Sequence, residues 1–405
     1  MNDQIENIKK NSIPVVLFGA GDIGTLAFHA LKKRDIKVNF VCDSNPKKQG
    51  NFFYGTKIIS PKELITKSRD VAIFICNNQY VDTVFSFLKE MKFNSIYNLV
   101  ELLKNTDFSE FNLDQNTFSQ LSIERQIELH EKNYLKVENS LNKKLDIPSV
   151  DVVITERCSL KCVACANLMQ FYHRPQNSDK DLMFKSIDKL MNCIDSLYEF
   201  RVLGGDPFMN KQMYEFVNKL DTYKNVKQVT VYTNATIMPK GLNLECLKNK
   251  KVRVQITNYG KLSYKHDELV KHCKENNISC VSERVKKWQD VGTINYQNKS
   301  IEELESLFKR CCTNSVLTLL HGKLYRCPTS AHGTNLEAVP DKPEDIVNLG
   351  DDKLNLEETR KQLEDFYYNK KSITACYYCK GRDYAFGEID AAIQTKRPLT
   401  IAKAN

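Results

Sequence analysis

Residues 155–165 read TERCSLKCVAC and place Cys158, Cys162 and Cys165 in a C-x3-C-x2-C pattern. Three thiolates this closely spaced can bind three irons of a [4Fe–4S] cluster and leave the fourth iron without a protein ligand. An iron that is open in this way can bind and cleave a small molecule, whereas a cluster held by four cysteines usually only carries electrons. The motif therefore predicts a reactive iron–sulfur centre.

The cysteine motif follows the first of several predicted strands that alternate with helical segments. These strands are Val150–Thr155, Phe200–Leu203, Gln228–Thr233, Val252–Thr257 and Ile278–Val281. At least five β/α units in about 150 residues predict a parallel barrel or partial barrel. Loops that follow barrel strands open onto the catalytic face, so this position suits a reactive cluster.

Two other interpretations of the cysteine triad are a zinc site and unconnected buried thiols. Structural zinc sites favour pairs of Cys-x2-Cys, and the triad supplies only one such pair and an outlier. The end of the next predicted strand favours the cluster, because residues 203–207 read Leu-Gly-Gly-Asp-Pro and supply the second half of a known pattern.

With both motifs, roughly residues 148–300 resemble the radical S-adenosylmethionine superfamily, whose members carry C-x3-C-x2-C after the first barrel strand and a Gly-Gly-Glu-Pro-like motif after the second. The resemblance implies a [4Fe–4S] cluster on the triad, with the amino and carboxylate groups of S-adenosylmethionine on the open iron. The cofactor-binding residues that it implies are Gly204, Gly205, Asp206, Pro207, Thr233, Asn234 and Thr257. Gln255 and Asn258 lie where family members contact the ribose and carboxylate.

Three positions depart from the pattern of the family. Asp206 replaces the usual Glu, which keeps the charge and shortens the reach, and Ala235 replaces the Gly that often follows Thr-Asn. The residue before the third cysteine is commonly aromatic and stacks near the adenine, but here it is Ala164. The resemblance therefore leaves Phe171 or Tyr172 as candidates to pack against the adenine.

The last hundred residues carry a second cysteine pattern. It consists of C-x9-G-x4-C followed by C-x2-C, at Cys312, Gly322, Cys327, Cys376 and Cys379. We expect a β-hairpin of Leu317–Leu320 and Lys323–Tyr325, joined at His321 and Gly322, to return the chain to the metal. Four thiolates close a site completely, and a structural zinc ion competes with a cluster on ligand count.

This arrangement resembles the twitch auxiliary-cluster domain of radical S-adenosylmethionine dehydrogenases, a shortened version of the SPASM domain. SPASM domains have further cysteines, whereas Cys379 is the last cysteine here. The resemblance implies one auxiliary [4Fe–4S] cluster that accepts an electron, and so a net oxidation. Because Cys311 and Cys312 are adjacent, either of them can be the first of the four ligands, although the spacing to Gly322 favours Cys312. Candidate bases, chosen by polarity alone, are Tyr259, His321, Arg326 and His332.

A glycine-rich loop lies near the amino terminus. Gly19, Gly21 and Gly24 form G-x-G-x-x-G between a predicted strand, Pro14–Phe18, and a helix, and Asp43 ends the next strand. This context predicts a doubly wound sheet in which the helix can hold a phosphate and Asp43 can accept a ribose hydroxyl. The segment resembles small Rossmann-like modules attached to nucleotide-sugar and surface-polysaccharide enzymes, in which the loop either binds a nucleotide or serves as a scaffold.

Composition and charge indicate an ordinary globular chain of 405 residues with a net charge of +9. The lysines are spread along the chain without a block of five like charges, so we expect no nucleic-acid partner. The first 13 residues are polar, and no apolar run approaches the roughly 18 residues of a membrane span, so we expect a cytoplasmic protein without a membrane partner. The isolated cysteines are expected to be buried free thiols: Cys42, Cys76, Cys193, Cys246, Cys273 and Cys280.

These expectations describe an α/β chain of four regions. They are a Rossmann-like doubly wound domain (1–105), a helical connector (106–147), a partial (β/α)6 barrel (148–305) and an auxiliary-cluster domain (306–405). The resemblance implies an oxidoreductase that acts on a sugar, cyclitol or nucleotide-linked small molecule and receives electrons from a flavodoxin- or ferredoxin-type donor. Modification or maturation of a ribosomal peptide, sugar epimerisation, and a zinc-stabilised nucleotide-sensing scaffold without activity are the alternatives.

Overall fold

The computed structural model divides the chain into two compact units, residues 1–144 and 145–405. It describes residues 2–67, 69–78, 80–111, 122–142, 144–290, 294–314, 316–368, 371–382 and 387–404. Residues 112–121 of the predicted connector lie outside the described residues. The mixed α/β fold with parallel sheets is confirmed, whereas the four domain boundaries stay predictions. Within the described residues, no helix combines the length and apolarity that a membrane crossing requires.

The first unit is built on a sheet of six strands. In chain order its elements are α1 (Asn2–Lys10), β1 (Val15–Phe18), α2 (Asp22–Lys32), β2 (Val38–Cys42), β3 (Phe52–Phe53), β4 (Thr56–Ile59), α3 (Pro61–Ile65), β5 (Ala72–Ile75), α4 (Val81–Glu90), β6 (Ile96–Tyr97), α5 (Val100–Lys104) and α6 (Ile123–Asn142). The strand order is β3-β4-β2-β1-β5-β6, and all neighbours except β3 and β4 are parallel. The strand order reverses at β1, and the glycine loop follows this strand. Ligands bind at such switch points in open α/β sheets.

The second unit is built on a sheet of eight strands. In chain order its elements are β7 (Asp146–Thr155), α7 (Lys180–Cys193), β8 (Ser196–Gly204), α8 (Met213–Asp221), β9 (Val226–Thr233), α9 (Leu242–Glu245), β10 (Val252–Asn258), α10 (His266–Glu275), β11 (Cys280–Arg284), β12 (Lys287–Gln289), α11 (Ile301–Arg310), β13 (Leu317–Leu320), β14 (Lys323–Tyr325), α12 (Pro328–Asn335), β15 (Ile346–Asn348), α13 (Leu356–Tyr368) and β16 (Glu388–Asp390). The strand order is β11-β10-β9-β8-β7-β13-β14-β15, and β12 pairs separately with β16. Strands β7 to β11 and β13 are parallel, whereas β14 and β15 are antiparallel to their neighbours.

The five predicted barrel strands occur as β7 to β11, the last beginning at Cys280 rather than at Ile278. The predicted hairpin also forms, as β13 and β14, but it extends the main sheet because Leu317 of β13 pairs with Val150 of β7. Since β7 and β13 are parallel neighbours in register, their carboxyl ends meet at one edge of the sheet. The hairpin turn at His321 therefore lies on the same edge as the first cysteine loop.

The two faces of the parallel sheet differ in polarity, because successive side chains of a strand point to opposite faces. Val152 of β7 and Phe200 of β8 belong to the apolar core that includes helices α7, α8 and α10. The alternate positions carry buried polar side chains: Asp151, Glu199, Thr230 and Gln255. Arg201 pairs with Asp151, and Thr230 donates a hydrogen bond to Glu199 at 2.6 Å, so several of these polar groups satisfy one another.

Candidate metal centres and active site

The loop after β7 brings the first three cysteines close to one another. Cys162 is 6% exposed, and Cys158 and Cys165 are partly exposed. Burial raises the pKa of all three thiols, to about 12 for Cys162, and the charge of Cys165 raises the pKa of both others further. Crowded and desolvated thiols are uncharged unless a cationic centre stabilises their thiolates, so this donor set fits an iron–sulfur cluster.

The arrangement of the triad differs from that of a single-ion site. Within the described parts of the chain, no group of three or more histidine, cysteine, aspartate or glutamate side chains is arranged so that it could hold a metal ion. A [4Fe–4S] cluster binds each thiolate through a different iron, so its ligands surround a volume and do not converge on one point. The fit of the triad to a cluster therefore rests on its three thiols, on their burial and on the loop that carries them.

Gly204 and Gly205 allow the end of β8 to pack directly against this loop. Gly204 has φ +147°, and a Cβ on it would lie 1.9 Å from the carbonyl oxygen of Thr155. A Cβ on Gly205 would lie 2.1 Å from the carbonyl oxygen of Arg157 and 2.8 Å from Cβ of Cys158. The two predicted motifs are thus in contact, and only glycine permits this approach of the two backbones.

Asp206 is fully buried and its carboxylate is occupied by groups of the chain itself. One oxygen accepts hydrogen bonds from Oγ1 of Thr233 at 2.8 Å and from the backbone N–H of Asn234 at 3.1 Å. The other accepts from the backbone N–H of Phe208 at 3.0 Å. Asp206 therefore links the ends of β8 and β9, and the cofactor contact expected of it stays a prediction. Pro207 follows it and is also buried.

The other expected cofactor residues lie at the ends of β9 and β10. Nδ2 of Asn234 faces the cysteine loop, 3.3 Å from Oγ of Ser159 and 3.6 Å from Sγ of Cys158. Thr257 is half-buried near the end of β10. Two residues earlier, Gln255 donates to Glu283 at 3.3 Å, and its own carbonyl oxygen has no hydrogen-bond partner within the described residues. These side chains leave polar groups at the edge where a ligand of the triad would bind.

Tyr259, which follows β10, is an aromatic side chain that lies near all three thiols of the triad. Burial raises its pKa, and the nearby charges of the triad raise it further. Its ring packs edge-on against Trp288 with centroids 5.4 Å apart. Phe171 belongs to an apolar cluster, and the hydroxyl of Tyr172 is hydrogen-bonded to His332. The adenine contact expected of either residue stays a prediction. No signal in the sequence distinguished Tyr259 and Trp288 as neighbours of the triad.

A second group of thiols forms in the carboxyl-terminal part of this unit. Burial raises the pKa of Cys327, Cys376 and Cys379, to about 12 for Cys376. In each case the neighbouring charge of Cys311 raises the pKa further. Nζ of Lys299 holds the C-x2-C segment by donating to the carbonyl oxygens of Cys376 at 3.0 Å and Cys379 at 2.8 Å. These four thiols fit a second, fully ligated cluster by the chemistry of their donors.

Neighbouring charges group Cys311 with the other three thiols, which favours it as the fourth ligand, and the preference for Cys312 drawn from the spacing to Gly322 stays a prediction. Cys311 follows the last residue of α11 in an extended conformation, with φ −72° and ψ 121°. Sγ of Cys312 lies instead 4.0 Å from the side-chain oxygen of Gln289.

Arg382 lies close to both groups of thiols. Its positive charge lowers the pKa of Cys165 in the first group and of Cys379 in the second, against the larger effect of burial. Its Nε is buried without a hydrogen-bond partner within the described part of the chain. A guanidinium group in this position stabilises thiolates on both sides.

Two of the candidate bases, His321 and His332, lie in one polar network. Oε1 of Glu156 accepts hydrogen bonds from Nε2 of His321 at 3.2 Å and from Nδ2 of Asn335 at 2.7 Å. Asn335 also donates to the hydroxyl of Tyr172, which is 2.9 Å from Nδ1 of the fully buried His332. Burial lowers the pKa of His332 to about 3, so this imidazole is neutral and a weak base.

Arg326, in contrast, makes contacts that indicate a structural role. Its guanidinium donates to the carbonyl oxygen of Phe366 and lies 4.2 Å from the centre of that ring. Burial lowers the pKa of Arg326 to about 10, which still leaves it protonated at neutral pH. The side chain of His321 is one-third exposed, so it differs from Arg326 and His332 in its access to solvent.

In the first unit, the glycines of the G-x-G-x-x-G loop differ in the space that a side chain would have. A Cβ on Gly19, which has φ +128°, would lie 2.3 Å from the carbonyl oxygen of Cys76, and one on Gly24 would lie 2.3 Å from the carbonyl oxygen of Gly19. A Cβ on Gly21 would meet nothing within 4 Å. The packing of the chain therefore explains Gly19 and Gly24, whereas Gly21 borders open space.

Asp43 is engaged with the same loop. One of its oxygens accepts the backbone N–H of Ala20 at 2.8 Å and lies 3.5 Å from Nζ of Lys48. The other accepts the backbone N–H of Asn45 at 2.8 Å. The carboxylate therefore braces the glycine loop, and the ribose contact expected of it stays a prediction.

Comparison with known proteins connects these sites with a family. Residues 150–289 match the family model described as a 4Fe-4S single cluster domain, and residues 11–96 match C2185-like, N-terminal. The GTP 3′,8-cyclases of Heliobacterium modesticaldum and Clostridium acetobutylicum are 29% and 23% identical over 100 and 97 residues, or 24% of this chain each. The matched part spans only 29% and 30% of these relatives. These matches support the resemblance of roughly residues 148–300 to the radical S-adenosylmethionine superfamily.

A more distant likeness is found among solved structures. The structure of Streptococcus suis SuiB bound to S-adenosylmethionine is 17% identical and has a TM-score of 0.30. The match covers 57% of this chain and 50% of SuiB.

Proposed function

We propose that this chain is a radical S-adenosylmethionine oxidoreductase that removes a hydrogen atom from a sugar, cyclitol or nucleotide-linked small molecule. The observation that carries the proposal is that the second unit contains two sets of cysteine thiols, one of three and one of four. Three thiols leave one iron of a cluster open for S-adenosylmethionine, whereas four thiols close a cluster and suit it to electron transfer. The pair favours a net oxidation, in which the substrate loses two electrons.

Each set of cysteine thiols would hold one cluster. The cysteines are Cys158, Cys162 and Cys165 for the first cluster, and Cys311, Cys327, Cys376 and Cys379 for the second. When bound, the first cluster and S-adenosylmethionine supply a 5′-deoxyadenosyl radical that abstracts the hydrogen atom. The chain contributes the close packing of Gly204 and Gly205 against the cysteine loop, which holds the loop against the end of β8.

The aromatic surface of Tyr259 and Trp288 supports binding of the adenine of S-adenosylmethionine. Tyr259 lies next to the triad, and its edge-on contact with Trp288 fixes the orientation of its ring. A fixed aromatic face binds a flat base at a low cost in conformational entropy. In this proposal Tyr259 takes the role that an aromatic residue at position 164 has in other family members.

His321 is the candidate base whose environment suits proton transfer best. Its Nε2 is bonded to the carboxylate of Glu156, which orients the imidazole and leaves Nδ1 as the proton acceptor. The other candidates are poorer bases at neutral pH, because Tyr259 holds its proton, Arg326 stays protonated and His332 is buried and neutral. His321 would therefore take the proton that the substrate loses on oxidation.

The glycine loop of the first unit supports a nucleotide-linked substrate. The chain itself has no packing reason for a glycine at position 21, and a phosphate approaching the amino terminus of α2 would supply one.

The proposal is tested by reductant-dependent cleavage of S-adenosylmethionine in anaerobically reconstituted protein, followed as 5′-deoxyadenosine by mass spectrometry. We expect wild type to form it and Cys158→Ser to form none. The double variant Cys376→Ser/Cys379→Ser should still form it, because the first cluster remains. A fully reconstituted wild-type protein that forms no 5′-deoxyadenosine would contradict the proposal.

A further inference from the structure

The last described segment of the chain, residues 387–404, contacts the loop of the first three cysteines. The backbone N–H of Val163 donates to the carbonyl oxygen of Ile393 at 2.8 Å, and that of Thr395 donates to Lys161 at 2.8 Å. These two bonds form an antiparallel bridge that sets Gln394 opposite Cys162. More than 220 positions separate the two sides in sequence, so the contact is a specific tertiary one.

The side-chain amide of Gln394 is held at both ends in this bridge. Its Oε1 accepts the backbone N–H of Lys161 at 2.8 Å, and its Nε2 donates to the carbonyl oxygen of Ala392 at 2.8 Å. A donor at one end and an acceptor at the other fix which atom of the amide is nitrogen. The second N–H of Nε2 then faces Sγ of Cys162 at 3.1 Å.

We infer that Gln394 is a positioning residue that donates a hydrogen bond to the thiolate of Cys162 and raises the reduction potential of the first cluster. The inference rests on the proposed function, since it requires Cys162 to bind a cluster. Hydrogen bonds to cluster sulfurs and exclusion of solvent are the means by which a protein sets such potentials. An N–H dipole that points at the sulfur stabilises the more negative, reduced cluster more than the oxidised one.

The surroundings of Cys162 make this bond effective. Cys162 is only 6% exposed, and a hydrogen bond is electrostatically stronger where water is excluded. Asn234 offers a similar but longer contact to Cys158, at 3.6 Å. Two amide side chains, Asn234 after β9 and Gln394 in the carboxyl-terminal segment, therefore face two of the three thiols.

The test is the midpoint potential of the first cluster, measured by redox titration followed by electron paramagnetic resonance. The signal of this cluster is recognised by its change when S-adenosylmethionine is added. Gln394→Met removes the donor and Gln394→Glu replaces it with a carboxylate, so we expect a lower potential in both and the lowest in Gln394→Glu. The control Ile393→Val alters the adjacent side chain, which is 48% exposed, keeps its backbone bond to Val163, and should have the wild-type potential.

Wild-type potentials in both Gln394 variants would overturn the inference. A lower iron content with an unchanged potential would also overturn it, because Gln394 would then only brace the loop. If the variants bind no cluster, the test is pulsed electron paramagnetic resonance of wild-type protein that contains 15N-glutamine. Coupling of 15N to the reduced cluster supports the hydrogen bond, and absence of this coupling overturns it. A wild-type protein without a first cluster would refute the proposed function itself, and the inference with it.

Discussion

The hydroxyl of Thr233 donates a hydrogen bond of 2.8 Å to the buried carboxylate of Asp206. Together with the backbone N–H groups of Phe208 and Asn234, it surrounds this carboxylate with donors from the chain itself. The position that in the family carries a longer glutamate is therefore a structural link between β8 and β9 in this chain. A shorter side chain suits that link because it keeps the carboxylate close to its own strand end.

Replacement of Asp206 by alanine should lower the stability of the protein. The change leaves three buried donors unpaired, and we expect the free energy of unfolding to fall by about 3 kcal/mol. Urea unfolding of the metal-free protein measures this. Asp352→Ala is the matched control, because that side chain is 80% exposed and its loss should change stability by less than about 0.5 kcal/mol. Wild-type stability of Asp206→Ala with loss of S-adenosylmethionine binding would instead make Asp206 a cofactor contact.

Substitution of Gly205 by alanine should prevent the first cluster from assembling. The added Cβ would lie 2.1 Å from the carbonyl oxygen of Arg157, so the loop must move away from β8. We expect reconstitution to lose about four irons per chain, the content of one [4Fe–4S] cluster. Gly387→Ala is the control, because a Cβ there meets nothing within 4 Å. Normal iron content in Gly205→Ala would show that the close approach of the two backbones is not required.

Much of this site follows from local patterns, and the rest depends on contacts that no local pattern contains. The triad and the Gly204–Gly205 pair are recognisable because their spacing is fixed within a few residues. The choice between Cys311 and Cys312 depends on where the chain after α11 places each side chain, which the spacing to Gly322 does not determine. The contact of Gln394 with Cys162 joins residues 232 positions apart, so the sequence carried no signal of it.

The prediction of the fold likewise succeeded where local patterns determine the strands. It missed a contact between strands that are distant in the sequence. Continuous apolar runs and alternation with helices identify the parallel strands, including β1 and β7. The pairing of β13 with β7 was not predicted, because the hairpin is complete in itself and its attachment to the sheet is a long-range contact.

The stability of the metal-free protein should depend on Glu156 at acidic pH. Burial acts to raise the pKa of Glu156, but hydrogen bonds from His321, Gln176 and Asn335 lower it on balance. A carboxyl group whose folded pKa is depressed contributes stability above its unfolded pKa, about 4.3, which is lost as the pH falls through the folded pKa. We expect Glu156→Gln to weaken the loss of stability between about pH 5 and pH 3. Urea unfolding across this range measures it, and identical pH profiles of the two proteins would refute the prediction.

Substitution of Gly21 by alanine distinguishes nucleotide binding by the glycine loop from a purely structural role of this loop. Because a Cβ on Gly21 meets nothing within 4 Å, Gly21→Ala should fold with nearly wild-type stability. If the loop holds a phosphate, the methyl group blocks its approach, and we expect binding of a nucleoside diphosphate to weaken at least about tenfold, or about 1.4 kcal/mol. Calorimetric titration of both proteins with the nucleotide measures this. Equal affinity in the two, or no binding to either, would leave the loop as a scaffold.

The central claim, one open and one closed cluster in the same chain, is tested most directly by the iron content of anaerobically reconstituted protein. Wild type and Cys312→Ser should each contain about eight irons per chain, and Cys311→Ser only about four, because Cys311 is the residue that we propose for the closed site. About four irons in wild type would remove the second cluster from the account. Stoichiometric zinc in place of iron would contradict both clusters.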